Sequence, residues 1–193
     1  MRDKKVVVLT GAGISAESGI RTFRDNDGLW ENHRIEDVAT PQAWQADPEL
    51  VWKFYQARRR QMSEVGPNPA HEAIAKLESE LDDFTLITQN VDDLHERGGS
   101  HSVIHMHGRL ETLRCEKSGQ IEERMSDEDL VDDFLSCNCC VEAARVRPDI
   151  VWFGEMPMRM DEIYNAIESC DLFIVVGSSG HVYPAAGLAS AAR

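Results

Sequence analysis

Apolar residues fall in short runs of strand length, separated by stretches with helical spacing. The runs are residues 6–10, 84–88, 103–107, 150–153 and 172–177. Each is rich in Val, Ile or Phe, and most lack polar alternation, the pattern of strands buried on both faces of a parallel sheet. Between them, Pro69–Glu80 predicts a helix, with Asn68 as its cap, Pro69 at the first helical position and Ile74 and Leu77 on one face. Residues 160–170 repeat the pattern, with Ile163, Ala166 and Ile167 clustered. Strand and helix in alternation predict the α/β class, a Rossmann-like doubly wound parallel sheet.

Two segments break the alternation. Residues 31–66 hold two helical patterns, at 41–45 and Pro48–Met62, with no strand between them. Residues 111–149 hold a cysteine cluster and an acidic stretch (Asp127, Glu128, Asp129, Asp132, Asp133), expected as a solvated helix face. Both read as insertions that together form a smaller domain, a helical part plus a cysteine module. Residues 1–30, 67–110 and 150–193 then make up the Rossmann-like nucleotide-binding domain.

Composition narrows the partners. The 193 residues carry 20 Lys and Arg against 34 Asp and Glu, a net charge of −14. A surface that neutralises nucleic-acid phosphates needs clustered bases, so no nucleic-acid partner is expected. The first apolar run, Val6-Val7-Val8-Leu9, falls far short of the roughly 20 residues of a membrane span and of a signal-peptide core. No membrane association is expected either. Five cysteines, four of them between Cys115 and Cys140, read as metal ligation before disulfides in a chain without an export signal. These features predict a soluble, cytoplasmic protein.

Candidate chemistry gathers at the strand ends. Gly11, Gly13 and Ala16 directly follow the first run in the spacing G-x-G-x-x-G/A. Gly11 permits a tight turn, and Gly13 lets backbone N–H groups approach a pyrophosphate. Ala16 lets a following helix pack close and aim its N-terminus at the phosphate. Alone, the glycine pattern also suits a bland turn. Next come Arg21-Thr22-Phe23-Arg24-Asp25 and Gly28-Leu29-Trp30, a guanidinium and aromatic rings where a dehydrogenase has helix. Phe23 or Trp30 taken singly would also serve as core filler.

Thr88-Gln89-Asn90-Val91-Asp92 ends the second run and His105-Met106-His107-Gly108 the third, on the edge where open α/β sheets bind ligands. His107 is a candidate general base, although a strand-end histidine serves equally often as a hydrogen-bonded sheet residue. Gly108 removes a side chain where a substrate would approach. His105 shares the facing of His107 but lies deeper in the sheet. His33, His71, His95, His101 and His181 have no comparable case from position.

Taken together, Gly11-Ala12-Gly13-Ile14-Ser15, Thr22-Phe23-Arg24, Thr88-Gln89-Asn90-Val91-Asp92, His107-Gly108, a downstream cysteine cluster and Gly177-Ser178-Ser179 stand in sirtuin order. The chain resembles the sirtuins, NAD-dependent protein lysine deacylases, over essentially its whole length, and looks closest to the bacterial CobB-like branch. The resemblance implies a Rossmann-like domain and a small zinc-module domain, with NAD and an acyl-lysine protein or peptide meeting between them. NAD is then consumed, giving nicotinamide, O-acyl-ADP-ribose and free lysine. His107 matches the base that activates a ribose hydroxyl, and Asn90 and Asp92 match residues that position ribose and nicotinamide. Gly11, Ala12, Gly13, Glu17, Thr22, Phe23, Arg24, Trp30, Gln89, Val91, Gly177, Ser178 and Ser179 match cofactor contacts. Val151, Phe153 and Gly154 match the edge that pairs with the substrate backbone by β-augmentation.

Two further expectations follow. Tyr55 and Arg58 lie three apart on one helix face and resemble the pair that binds the carboxylate of succinyl or malonyl groups, arginine offering a bidentate fork. Spacing alone also suits a basic surface helix, since Arg59 and Arg60 follow. Cys137 and Cys140 form one C-x2-C pair, but Ser118 stands where the partner of Cys115 would be. Cys115, Cys137 and Cys140 are the expected ligands of a structural zinc, with Cys139 as fourth in a distorted site. Otherwise zinc is weak or absent and packing holds the module. Cys170 reads as buried and inert. Sirtuins continue beyond the position matching Arg193 with another strand and a closing helix, so residues 172–177 are expected at a sheet edge. Beside deacylation stand three alternatives: a degenerate NAD- and zinc-binding interaction module, a mono-ADP-ribosyltransferase, and an NAD oxidoreductase, the last disfavoured by the loop from Thr22 to Trp30.

Overall fold

The structure, a computed structural model, describes residues 3–20, 29–30, 32–180 and 184–191. In chain order its strands are β1 (Lys5–Thr10), β2 (Leu29–Trp30), β3 (His33–Arg34), β4 (Asp83–Thr88), β5 (Val103–His105), β6 (Gly108–Cys115), β7 (Ile121–Glu123), β8 (Val146–Ile150) and β9 (Leu172–Val176). Its helices are α1 (Ile35–Val38), α2 (Pro41–Ala46), α3 (Pro48–Met62), α4 (Pro69–Glu80), α5 (Leu94–Arg97), α6 (Met160–Glu168) and α7 (Ala185–Ala191). None of the helices among the described residues is long and apolar enough to cross a membrane.

Strands β5, β4, β1 and β9 lie side by side in that order, all parallel. Residues Val6, Val7, Val8 and Leu9 are all buried, because alternate side chains of this central strand enter different cores. Val7 and Leu9 pack with Ile87, Ile104 and Met106 under Ile163 and Ile167 of α6 and Leu188 of α7. Val6 and Val8 pack with Leu86, Ile14 and Ile74 of α4. The helices begin where the sequence places their stops and caps. Asp47 Oδ1 accepts from the Leu50 amide at the start of α3, and Asn68 Oδ1 accepts from the Ala70 amide at the start of α4.

A separate antiparallel sheet, β7-β6-β8, packs against α2 and α3. Their common core holds Trp44, Trp52, Tyr55 and Trp152 with Leu113 and Val146. Arg145 and Arg147 lay their guanidinium groups over Trp44 and Trp152, 4.7 Å and 3.6 Å from the ring centroids. The chain passes from one sheet to the other at Gly108 and returns beyond Ile150.

Three expectations need correction. Residues 150–153 do not form a strand of the parallel sheet: Ile150 ends β8, opposite Gly108 in the antiparallel sheet, and Trp152 enters that module's core. The parallel sheet therefore has four strands among the described residues, with β9 at its edge. The acidic stretch is not a helix face. Asp127–Asp129 is a single 3-10 turn, and Asp129 is buried, accepting from Arg124 and Ser126. Beyond Gly11 the chain enters two 3-10 turns, Ala12–Ile14 and Ala16–Ser18, rather than an α-helix, and Gly19 closes them with φ +95°.

Candidate active site

Parallel pairing puts the carboxyl ends of all four strands on one side of the sheet, where Thr10, Thr88 and His105 stand in register. A cavity of about 580 Å³ opens there. One wall is the glycine turn, Gly11, Ala12 and Gly13, with Gly177, Ser178 and Ser179 beside it. Gln89, Asn90, Val91, Asp92 and His107 form the middle. Trp30, Tyr55, Val151, Phe153 and Gly154 form the wall toward the antiparallel sheet. The structure thus brings together most of the residues that the sequence singles out, from both parts of the chain. Glu17 does not line the cavity; it is exposed on the second 3-10 turn. Thr22, Phe23 and Arg24 lie outside the described residues.

The glycines act differently from the expectation. Gly11 N–H donates to Val176 O at 3.0 Å and Gly13 N–H to Gly177 O at 2.9 Å, so neither amide is left for a pyrophosphate. A Cβ on Gly13 would lie 2.8 Å from Gly177 O, and one on Gly11 2.8 Å from Ser178 Cα. These residues are small because two backbone turns touch. Gly108 has a comparable reason: at φ +83° its missing Cβ makes room for the Asp149 carbonyl, not for substrate.

His107 Nδ1 lies 3.0 Å from Gln89 O. A carbonyl only accepts, so Nδ1 carries the proton and Nε2 is the ring's basic nitrogen. Burial holds this histidine below the ordinary value of 6.5, partly opposed by the bond to Gln89. It is neutral near pH 7, as a base must be.

Asn90 and Asp92 meet at Ser15. Asn90 Nδ2 donates to Ser15 Oγ at 3.0 Å, and Ser15 Oγ donates to Asp92 Oδ2 at 3.0 Å. Burial raises the Asp92 carboxyl above its usual range, while the Ser15 and Leu94 bonds oppose it. Gln89 Nε2 donates to Ser178 Oγ at 2.9 Å and so ties the second strand end to the Gly177 turn.

Beneath the cavity floor lies a polar layer not anticipated from position. His95 Nε2 lies 2.9 Å from Thr10 Oγ1, which donates to Thr88 Oγ1, and the His71 and His95 rings meet edge to face at 5.0 Å. Burial, and then neighbouring His71, push His95 down to about 4. His71 had a readable signal, since it stands three residues after the Asn68 cap and its Nδ1 accepts the Asn68 amide.

On the far wall, Tyr55 is buried and its hydroxyl accepts from Trp152 Nε1 at 3.1 Å. Burial raises the phenol well above its ordinary value. Arg58 lies one turn on, its guanidinium 5.4 Å from the centre of the Phe54 ring, and is not among the residues lining the cavity. The loop 151–155 is shaped by Arg147, which holds the Glu155 carboxylate with two bonds of 3.0 Å and the Ile150 carbonyl with one of 2.9 Å. The amides of Val151 and Phe153 donate to His107 O and Ala39 O, and that of Trp152 to Glu155. An added peptide would therefore find these three amides already engaged.

The sulfurs of Cys115, Cys137, Cys139 and Cys140 all lie within 4.8 Å of one another. Cys140 Sγ is 3.8 Å from that of Cys115 and 3.7 Å from that of Cys139. Tetrahedral zinc with bonds of about 2.3 Å sets its sulfurs about 3.8 Å apart, so the group fits a structural zinc with Cys139 as its fourth ligand. Ser118 does not take a ligand's place. Its Oγ lies 3.1 Å from Cys139 Sγ and its amide donates to Cys115 Sγ at 3.4 Å. The Ser118 bonds hold the Cys115 thiol below the ordinary cysteine value. Cys170 stands apart on the sheet domain, only partly buried against the α6 core rather than fully buried as expected.

A cleft at the carboxyl edge of a parallel α/β sheet, closed on its far side by the helices and loop of a second module and lined by a neutral histidine, is the outline of a transfer enzyme with a nucleotide-sized substrate. The model of the Sir2 family matches residues 11–184. The chain is 58% identical over 196 residues to an NAD-dependent protein deacylase of Escherichia coli O6:H1, covering 100% of this chain and 71% of the relative. It is 58% identical over 193 residues to one of Vibrio cholerae, covering 98% and 77%. Among solved structures, a Sir2 homologue in complex with NAD has 46% identity and a TM-score of 0.87, covering 98% of this chain and 73% of that one. A Sir2 protein with deacetylated p53 peptide and 3′-O-acetyl ADP ribose has 32% identity and a TM-score of 0.80, covering 97% and 77%. The chain belongs to the Sir2 family.

Proposed function

We propose that this chain removes acyl groups from protein lysines with NAD and one water, releasing nicotinamide, the free lysine and O-acyl-ADP-ribose. NAD held in the cleft supplies the ribose carbon that bonds to the acyl oxygen as nicotinamide departs. The chain's own residues do the rest. His107, its Nδ1–H fixed on Gln89 O, takes a ribose hydroxyl proton at Nε2. Asn90 and Asp92, joined through Ser15, orient the ribose and nicotinamide. The glycine turn and Gly177, Ser178 and Ser179 wall the phosphate side. Trp30, Tyr55 and Phe153 line the wall beside the reacting carbonyl, and the loop 151–154 bounds the space left for the acyl-lysine peptide.

The observation that carries this reading is His107: a half-buried, neutral, tautomer-fixed imidazole in a cavity bounded by both the glycine turn and the 151–154 loop. It also speaks against a degenerate binding module, which has no use for a poised base. For acidic acyl groups, Tyr55 is the cavity-side member of the carboxylate pair and Arg58 stands one helical turn beyond it. A cytoplasmic setting suits five free cysteines. Incubation with NAD and acetylated or succinylated peptide, followed by nicotinamide and peptide-mass measurement, tests the proposal. Loss of the acyl mass with one nicotinamide per peptide is expected, and intact reagents would overturn it.

A further inference from the structure

Two histidines, two positions apart, each hold one carbonyl of the loop after β4. His107 Nδ1 meets Gln89 O at 3.0 Å, and His105 Nδ1 meets Asn90 O at 3.2 Å. Both rings therefore donate from Nδ1. They differ at the other nitrogen. His107 keeps Nε2 as an acceptor, whereas His105 Nε2 lies 2.7 Å from Glu96 Oε1, with the His105 side chain only 6% exposed. A carboxylate also accepts, so one proton lies between Nε2 and Oε1, and the ring is pinned between the Glu96 carboxyl and a backbone carbonyl.

This pair sits behind the cavity rather than in it. Neither Glu96 nor His105 lines the cleft, while Asn90 and Asp92 both do. Glu96 stands on α5, which begins against Asp92, whose Oδ1 accepts the Leu94 amide at 3.2 Å. The loop from Asn90 to Asp92 is thus held at one end by His105 and at the other by the helix that carries Glu96. We infer that Glu96 and His105 are positioning residues for the reaction, the hydrogen-bonded pair fixing the Asn90 carbonyl and through it the direction of the Asn90 and Asp92 side chains. Burial works to raise the Glu96 carboxyl, but the bond and charge of His105 outweigh it and hold the group below its usual range. The inference rests on the reading of Asn90 and Asp92 given under the proposed function.

Isosteric substitutions separate positioning from mere stability. In His105→Asn the side-chain nitrogen replaces Nδ1 and keeps the bond to Asn90 O, losing Glu96. In His105→Gln it replaces Nε2 and keeps Glu96, losing Asn90 O. We expect kcat for nicotinamide release to be about tenfold higher in H105N than in H105Q, with the peptide KM equal in the two. Equal rates, or H105Q the faster of the two at matched folded fraction by circular dichroism, would overturn the inference. A second pair covers misfolding at position 105. Glu96→Gln can still donate to the neutral ring and leave Nδ1–H on Asn90 O, so it should exceed Glu96→Ala in kcat. The reverse order counts against positioning. His107→Ala run alongside tells the two levels apart: wild-type nicotinamide release there sinks the site reading itself. An inactive His107→Ala with indistinguishable His105 variants sinks only the positioning role.

Discussion

Replacing Gly177 by alanine tests whether the glycines serve contact between turns or freedom of the backbone. Gly177 has φ +65°, and a Cβ there would fall against the amide nitrogen of Ile14, 2.8 Å from Gly13 C and 3.1 Å from Gly11 O. The three nearest atoms are all backbone, so no side chain can swing aside to relieve them. Relieving the collision means parting the turns by about 1 Å, which breaks the 2.9 Å bond from Gly13 N–H to Gly177 O. The left-handed conformation costs an L-residue about 1–2 kcal/mol, and the broken bond about 1 kcal/mol more. For a chain of this size a loss of about 2–3 kcal/mol lowers Tm by about 4–12 °C. Gly119→Ala is the matched control, because Gly119 has φ +74° and nothing within 4 Å of its virtual Cβ. It shares the strain but not the collision. The assays are thermal unfolding followed by circular dichroism and the KM for NAD. G177A should lose more stability than G119A and should alone raise the NAD KM. Equal Tm shifts with an unchanged KM would refute the close-contact account.

Four other outcomes are expected. His107→Ala should reduce nicotinamide release by about 10²–10⁴-fold. In the wild-type chain the acid limb of kcat/KM should fall below pH 6.5, because burial lowers the His107 value and the deprotonated ring is the working form. A limb above that pH counts against His107 as the base. Cys139→Ser should lower bound zinc, measured by mass spectrometry under non-denaturing conditions, whereas Cys170→Ser should leave the stoichiometry unchanged. Arg58→Met should depress desuccinylation far more than deacetylation, and an equal loss of both would remove its role with acidic acyl groups.

What was legible in the sequence was local. Val6, Val7, Val8 and Leu9 announce a doubly buried strand because no polar residue interrupts them, and Asn68-Pro69 announces a helix start because cap and fixed φ coincide. Gln89, Asn90, Asp92 and His107 stand out through their places at strand ends, which a parallel sheet necessarily brings to one edge, and they line one cavity. What stayed hidden depends on partners far away in the chain. The apolar run at 150–153 reads as another parallel strand until Gly108 pairs with Ile150 and Arg147 stacks on Trp152. Asp129 looks like one carboxylate of an acidic surface until Arg124 and Ser126 bury it. His95 and Glu96 carry no signature, because their roles depend on Thr10 and His105 arriving beside them. Spacing leaves the fourth zinc ligand open, because only the fold shows Cys139 Sγ beside that of Cys140.

The amide of Gly13 spent on Gly177 has a mechanical corollary. Loops at the two ends of a nucleotide cradle commonly flex against each other, and ligand binding then has to still them. Here the tips of β1 and β9 are already stitched together, and Gln89 adds a third thread through Ser178. The rim formed by these three strand ends is therefore cross-braced by the fold itself, and a substitution at any one of the three tips is expected to be felt at the other two.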